Sequence, residues 1–215
     1  MARLKAGILA AVSGKVGTVV GSSWKGIDYI RSKGGRRKKR KEKPSPALAG
    51  CNTKFKLATR FITTMRPFLK IGYREFEVRK TACNAAHSYI MKHCFTSAYP
   101  ELKIDYSLVK VSRGGLPCTT AAAVSALPAG KVEFSWDPAG IGSASGTDSC
   151  MALLYCESEN RAVFKLPGTL RSSGQFILDA SYWAGKSFHA WLAFSSANEE
   201  NVSDSVYVGE LIVQQ

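Results

Sequence analysis

Cys83, His87 and Cys94 are residue types that ligate transition metals, and their spacing puts them on one face of a predicted helix. Distance argues against a shared ion. Cys83 and Cys94 are 11 residues apart, which is ~16 Å along a helix axis, whereas zinc holds its ligands at ~2.0–2.3 Å. No CxxC or HxxxH elsewhere supplies further donors, so the trio is expected to be buried and structural, and no metal is expected. Catalytic patterns are equally incomplete. Gly142-Ser-Ala-Ser-Gly146 lacks the order of a nucleophile elbow, and Ser13-Gly14-Lys15 lacks the glycine spacing of a phosphate-binding loop. His189 alternates with Trp191 in a predicted strand, where a half-exposed structural role is expected. The sequence therefore predicts a non-enzymatic protein with no catalytic residue and no cofactor.

The chemistry that does stand out is electrostatic. Between Lys33 and Lys43 there are eight basic residues and one acid, flanked by Gly34, Gly35 and Pro44. Such a run repels itself and predicts an extended arm. Residues 1–113 hold 25 Lys and Arg against 6 Asp and Glu, and residues 114–215 hold 5 against 10. An asymmetry of this size points to a polyanionic partner, nucleic acid or an anionic membrane surface. No run approaches the ~20 apolar residues that cross a bilayer, so membrane insertion is not expected. The predicted phosphate-binding residues are Arg36, Arg37, Lys38, Lys39, Arg40, Lys41 and Lys43, joined by Lys54 and Arg60 on the helix that follows. The absence of a nucleic-acid-reading motif makes the expected binding sequence-independent, to DNA or RNA alike. Among nearby aromatics, Phe55 is expected in the helical core, while Trp24 and Tyr29 suit either packing or base stacking.

The elements that carry these residues change character along the chain. Val16, Thr18 and Val20 alternate, and Trp24, Ile27, Tyr29 and Ile30 follow, predicting a glycine-rich strand pair over 15–31 that must pack on a helix or a neighbouring chain. Ser45-Pro46 has the form of a helix start, Pro67 interrupts, and further helices are predicted over about 68–78 and 81–95. Beyond Pro100 the period becomes alternating: one or two short strands over 102–111, an Ala-rich connector, then strands at 131–136, 149–156, 161–165, 175–179, 187–195 and 205–213. Trp136 is the expected core tryptophan, and Cys150 and Cys156 should share a face. The fold class read from this is α+β: an N-terminal Gly-rich β-hairpin with a basic arm, two to three short helices, and a C-terminal immunoglobulin- or fibronectin-like antiparallel β-sandwich. The predicted domains are residues 1–100 and 101–215. The six cysteines are expected as reduced thiols, since a chain of this size needs no stapling. The apolar run after Met1 is broken by Ser13, Gly14 and Lys15, so no recognisable secretion signal is expected.

The run from Leu4 through Gly7-Ile-Leu-Ala-Ala-Val-Ser-Gly-Lys-Val-Gly-Thr-Val-Val-Gly-Ser-Ser-Trp24 to Ser32 resembles the opening of unknown-function family 6266, found in Bacteroidetes and their phages. The resemblance continues through Phe55-Lys-Leu-Ala58, Thr81-Ala-Cys-Asn-Ala-Ala-His-Ser-Tyr89, 104–117 and 202–211. It implies no catalytic residues. With the charge pattern, it gives the leading expectation of a structural or assembly protein of a phage or phage-derived virion, homo-oligomeric, located in the particle or the cytoplasm. The alternatives are a monomeric host RNA- or ribosome-binding module and an exported surface adhesin.

Overall fold

The computed structural model describes residues 3–4, 12–35, 44–77, 80–139 and 142–214. The chain divides into two compact units, 1–43 and 44–215. In the first, strands β1 (Arg3–Leu4), β2 (Val12–Val16), β3 (Val19–Trp24) and β4 (Ile27–Ser32) form one antiparallel sheet in sequential order. The turn between β3 and β4 has Lys25 and Gly26 at φ +49° and +76°, the two left-handed residues of a type I′ hairpin. At Gly14, φ +107°, the backbone takes a course that suits glycine. Val12's carbonyl oxygen then lies 1.8 Å from where a Cβ on Gly21 would stand. Gly21 is thus covered, while most of the sheet is exposed.

The second unit begins with three helices. In α1 (Pro46–Thr64) the Ser45 hydroxyl accepts from the Leu48 N–H and Pro46 occupies the first turn. This satisfies a helix-end donor where proline has none to offer. The break comes at Met65, just before Pro67, and α2 (Arg66–Gly72) follows, then a 3₁₀ turn over Arg74–Phe76. Thr81 caps α3 (Ala82–His93) by accepting from the Asn84 N–H at 3.2 Å.

Among the described residues seven strands complete the unit: β5 (Ala122–Leu127), β6 (Lys131–Trp136), β7 (Ser149–Cys156), β8 (Arg161–Lys165), β9 (Gln175–Asp179), β10 (Ser187–Ser195) and β11 (Val206–Ile212). They pair as a four-stranded sheet, β11-β10-β7-β8, and a three-stranded sheet, β5-β6-β9. With the chain switching sheets after β6, β8 and β9, this is a fibronectin-like sandwich. Even-numbered residues of β7 and β10, among them Cys150, Leu154, Cys156, Leu192 and Phe194, pack against Val132, Phe134, Trp136 and Phe176. Cys150 and Cys156 do share a face. The odd-numbered residues Met151, Leu153, Tyr155, Trp191 and Ala193 pack outward against Phe61, Phe68, Leu69, Ala86 and Ile90 of the helices. The central strands are therefore covered on both faces, and the helices form a third layer.

That third layer explains three departures from the sequence reading. The chain does not divide near residue 100, because the helices and sandwich share a core. Residues 102–111 form no strand, only a bridge from Ile104 to Phe95 and a 3₁₀ turn over Tyr106–Leu108. Their apolar side chains Leu102, Tyr106, Val109 and Val111 are buried as the segment drapes over the core. The Ala-rich connector holds β5, an edge strand whose Val124 packs toward the inner core.

Candidate nucleic-acid interface

Seven of the predicted binding residues, Arg36, Arg37, Lys38, Lys39, Arg40, Lys41 and Lys43, lie outside the described residues, as does Arg79. The other two border different recesses, both lined by Leu102. Lys54 is half-buried, its ammonium 5.5 Å from the Phe95 ring centroid, and it lines a cleft with Tyr99 and Leu102. Arg60 is exposed but borders a recess that also contains Lys103 and Glu157. Lys56, one turn earlier, is exposed on the same side of α1.

Several cations of the larger unit have partners within that unit. Arg74 pairs with Glu199 at 3.5 Å and donates to that residue's carbonyl, and Lys110 pairs with Asp204. Arg113 stacks its guanidinium 4.7 Å from Phe76 and 4.9 Å from Tyr89. The two units accordingly differ in charge. Residues 44–215 hold 17 Lys and Arg against 14 Asp and Glu, whereas residues 1–43 hold 13 against 2. The densest excess falls in the small N-terminal unit, while residues 44–113 of the larger unit still hold 12 Lys and Arg against 4 Asp and Glu.

The register of that small sheet sorts its side chains by face. Lys15 pairs with Val20 and Val20 with Arg31; Ser22 pairs with Tyr29 and Trp24 with Ile27. Directly opposed residues of antiparallel strands point the same way, and residues two apart on a strand do too. Lys15, Trp24, Tyr29 and Arg31 therefore share one face. Trp24 is 42% and Tyr29 43% exposed, and the Lys25 ammonium sits 5.7 Å from the Trp24 ring centroid. The opposite face carries Gly14, Gly21, Ile30 and Asp28, the last being the carboxylate among the described residues of this unit. Gly21 on that side is covered by Val12.

The remaining polar candidates lie in the larger unit. Cys94 is buried, its thiol donating to the Leu108 carbonyl, and burial followed by nearby Asp105 pushes its pKa up to about 12. Cys83 and His87 are half-buried rather than buried. They line an open groove of about 640 Å³ between α1 and α3 with Thr59, Arg66 and Asn84. Phe55 is also misplaced by the sequence reading: it is 57% exposed, and its ring lies 4.4 Å from that of His87 at the groove's lip. His87 Nε2 is 3.3 Å from Thr59 Oγ1. Among the described residues no cluster of three metal-ligating side chains occurs, and no helix is long and apolar enough to cross a membrane. His189 stacks on Tyr106 with ring centroids 4.2 Å apart and meets the Tyr207 hydroxyl at 3.0 Å. Burial holds its pKa below the usual imidazole value.

Among solved structures, the crystal structure of the chicken CNTN1 FN1–FN3 domains is similar, with 8% identity and a TM-score of 0.36 over 47% of this chain. The match spans 33% of that chain, and at this TM-score the sandwich assignment rests on the strand order alone. No curated protein matches the sequence. The model of a family of unknown function, DUF6266, matches residues 11–209, and the chain belongs to that family.

Proposed function

We propose that this member of the DUF6266 family is a non-enzymatic structural or assembly protein that holds nucleic acid by its phosphates, as a component of a virion or similar particle. The partition of charge between the two units carries the reading. A net +11 on residues 1–43, beside +3 on the remaining 172 residues, is a density that phosphate relieves and water alone does not. In the larger unit 14 acids stand against 17 bases, and some of those bases also have ring partners; in the smaller, 2 acids stand against 13 bases. Assembly is supported by β4, which among the described residues pairs only with β3 and so stands at an edge of its sheet, the arrangement through which strands of separate chains join.

Salt dependence tests the proposal. If six arm residues each neutralise a phosphate, the logarithm of the binding constant for duplex DNA falls against log salt with a slope of about −5. Replacing Arg36, Arg37, Lys38, Lys39, Arg40, Lys41 and Lys43 together with Ser should remove most of that slope. A wild-type slope near zero, or affinity indifferent to the seven substitutions, overturns it. Light scattering after size exclusion should show oligomers, and a strictly monomeric protein contradicts the assembly role.

A further inference from the structure

We propose that one face of the N-terminal sheet is a stacking platform for single-stranded nucleic acid, with Trp24 and Tyr29 receiving bases and Lys15 and Arg31 receiving the adjoining phosphates. The inference rests on the reading that the chain binds polyanions, and it adds a site and a strand preference that the arm alone does not confer. A cationic run neutralises phosphates of any nucleic acid. Selecting single strands requires flat apolar surfaces that unpaired bases can cover.

The sheet supplies them in register. Tyr29 lies opposite Ser22, and Trp24, two residues along from Ser22, stands diagonal to Tyr29 on the same face. Diagonal neighbours are ~7–8 Å apart at their backbones, within reach of successive bases on an extended strand. Both rings remain nearly half exposed, although aromatic side chains of this size are normally covered. The charges agree with the rings. Lys15 and Arg31 flank Val20 in one cross-strand row of that face, Lys25 lies at its end over Trp24, and Asp28 is turned to the other side. A second copy of the same basic unit would bring like charges together here, whereas a strand of phosphates complements them. Cation and aromatic on one face, acid on the other, is the pattern of single-strand-binding surfaces built on sheets.

The test compares full-length protein with two double variants. One replaces Trp24→Leu and Tyr29→Leu, keeping apolar bulk without rings; the other replaces Trp24→Phe and Tyr29→Phe, keeping rings. Each is titrated by fluorescence anisotropy with a ~12-nucleotide thymidine oligomer, its uridine counterpart and a ~12-base-pair duplex. Per base stacked, the leucine pair should lose about 5-fold or more in single-strand affinity. Its duplex affinity and salt slope should be unchanged, and the phenylalanine pair should stay close to wild type. Unaltered single-strand affinity in the leucine pair overturns the platform while leaving the phosphate reading intact. That result accompanied by loss of self-association reassigns the face to a second copy. A wild-type protein that binds none of the three ligands overturns both. Photocrosslinking of wild-type protein to a 5-iodouracil strand needs no variant to fold: adducts at Trp24 or Tyr29 are expected, and adducts confined elsewhere reject the site.

Discussion

The indole N–H of Trp191, on β10, donates to the main-chain carbonyl of Val109 at 3.0 Å. Trp191 is fully buried among Phe61, Tyr106 and Tyr207, so one side chain both fills the outer core and ties down the segment joining helices to sandwich. Trp191→Phe keeps most of the volume but leaves a buried carbonyl without its donor, an expected loss of ~1–3 kcal/mol. Trp191→Ala adds a cavity, with an expected loss of ~3–5 kcal/mol. Urea denaturation of both variants checks this, and midpoints equal to wild type would refute the role assigned to the indole.

A buried ion pair fixes the opposite side of the sandwich. Arg171, with no exposed surface, lies 3.2 Å from the Asp148 carboxylate, donates to the Pro117 carbonyl and stacks 3.8 Å from the Phe194 ring centroid. Asp148 in turn accepts from the Ser145 N–H. Removing one charge strands the other in a medium that solvates it poorly, so Asp148→Ala should cost ~3–5 kcal/mol. Arg171→Met combined with Asp148→Ala should cost less than the sum of the two single variants. Additive losses in that cycle would mean the charges do not interact.

Alkaline pH should loosen the fold. Burial raises the thiol pKa of Cys94 to about 12 and that of Cys150 further, and it raises the phenol pKa of Tyr73 and Tyr106. Each group is neutral in the fold but ionises in the unfolded chain at its ordinary value, ~8.5 for thiols and ~10 for phenols. Above ~8.5 the unfolded state therefore binds fewer protons, and stability falls as pH rises toward the folded values. Denaturation midpoints measured from pH 7 to 11 should decline from about pH 9, and Cys94→Ala with Cys150→Ala should flatten the first part of the decline. A flat profile through pH 10 contradicts it. In the same range iodoacetamide should label exposed Cys51 well ahead of Cys94, Cys150 and Cys156.

Much of the sandwich was legible because alternation and turn residues punctuate it: the predicted strands at 131–136, 149–156 and 187–195 coincide with β6, β7 and β10. The same β7 sequence, Cys150-Met-Ala-Leu-Leu-Tyr-Cys156, is apolar at every position, the mark of a strand covered on both faces. Reading that run as one side of a sandwich concealed the third layer and misplaced the domain boundary. Strand β5 escaped notice because alanine gives weak alternation and weak strand preference. Charge revealed a strongly basic half but not which of its cations find partners, since the pairing of Arg74 and Lys110 with carboxylates about a hundred residues away is a tertiary fact. Trp24 and Tyr29 were visible as aromatics. Whether they shared a face was not, because a slip of one residue in register would have put them on opposite sides.

Val12 carries one more implication. Its carbonyl occupies the space that any side chain at position 21 would need. Mutational tolerance in this sheet should therefore run opposite to visual prominence. A library randomised across residues 12–32 and sorted only for folded protein ought to accept many replacements at large, showy Trp24, yet purge nearly every variant at Gly21.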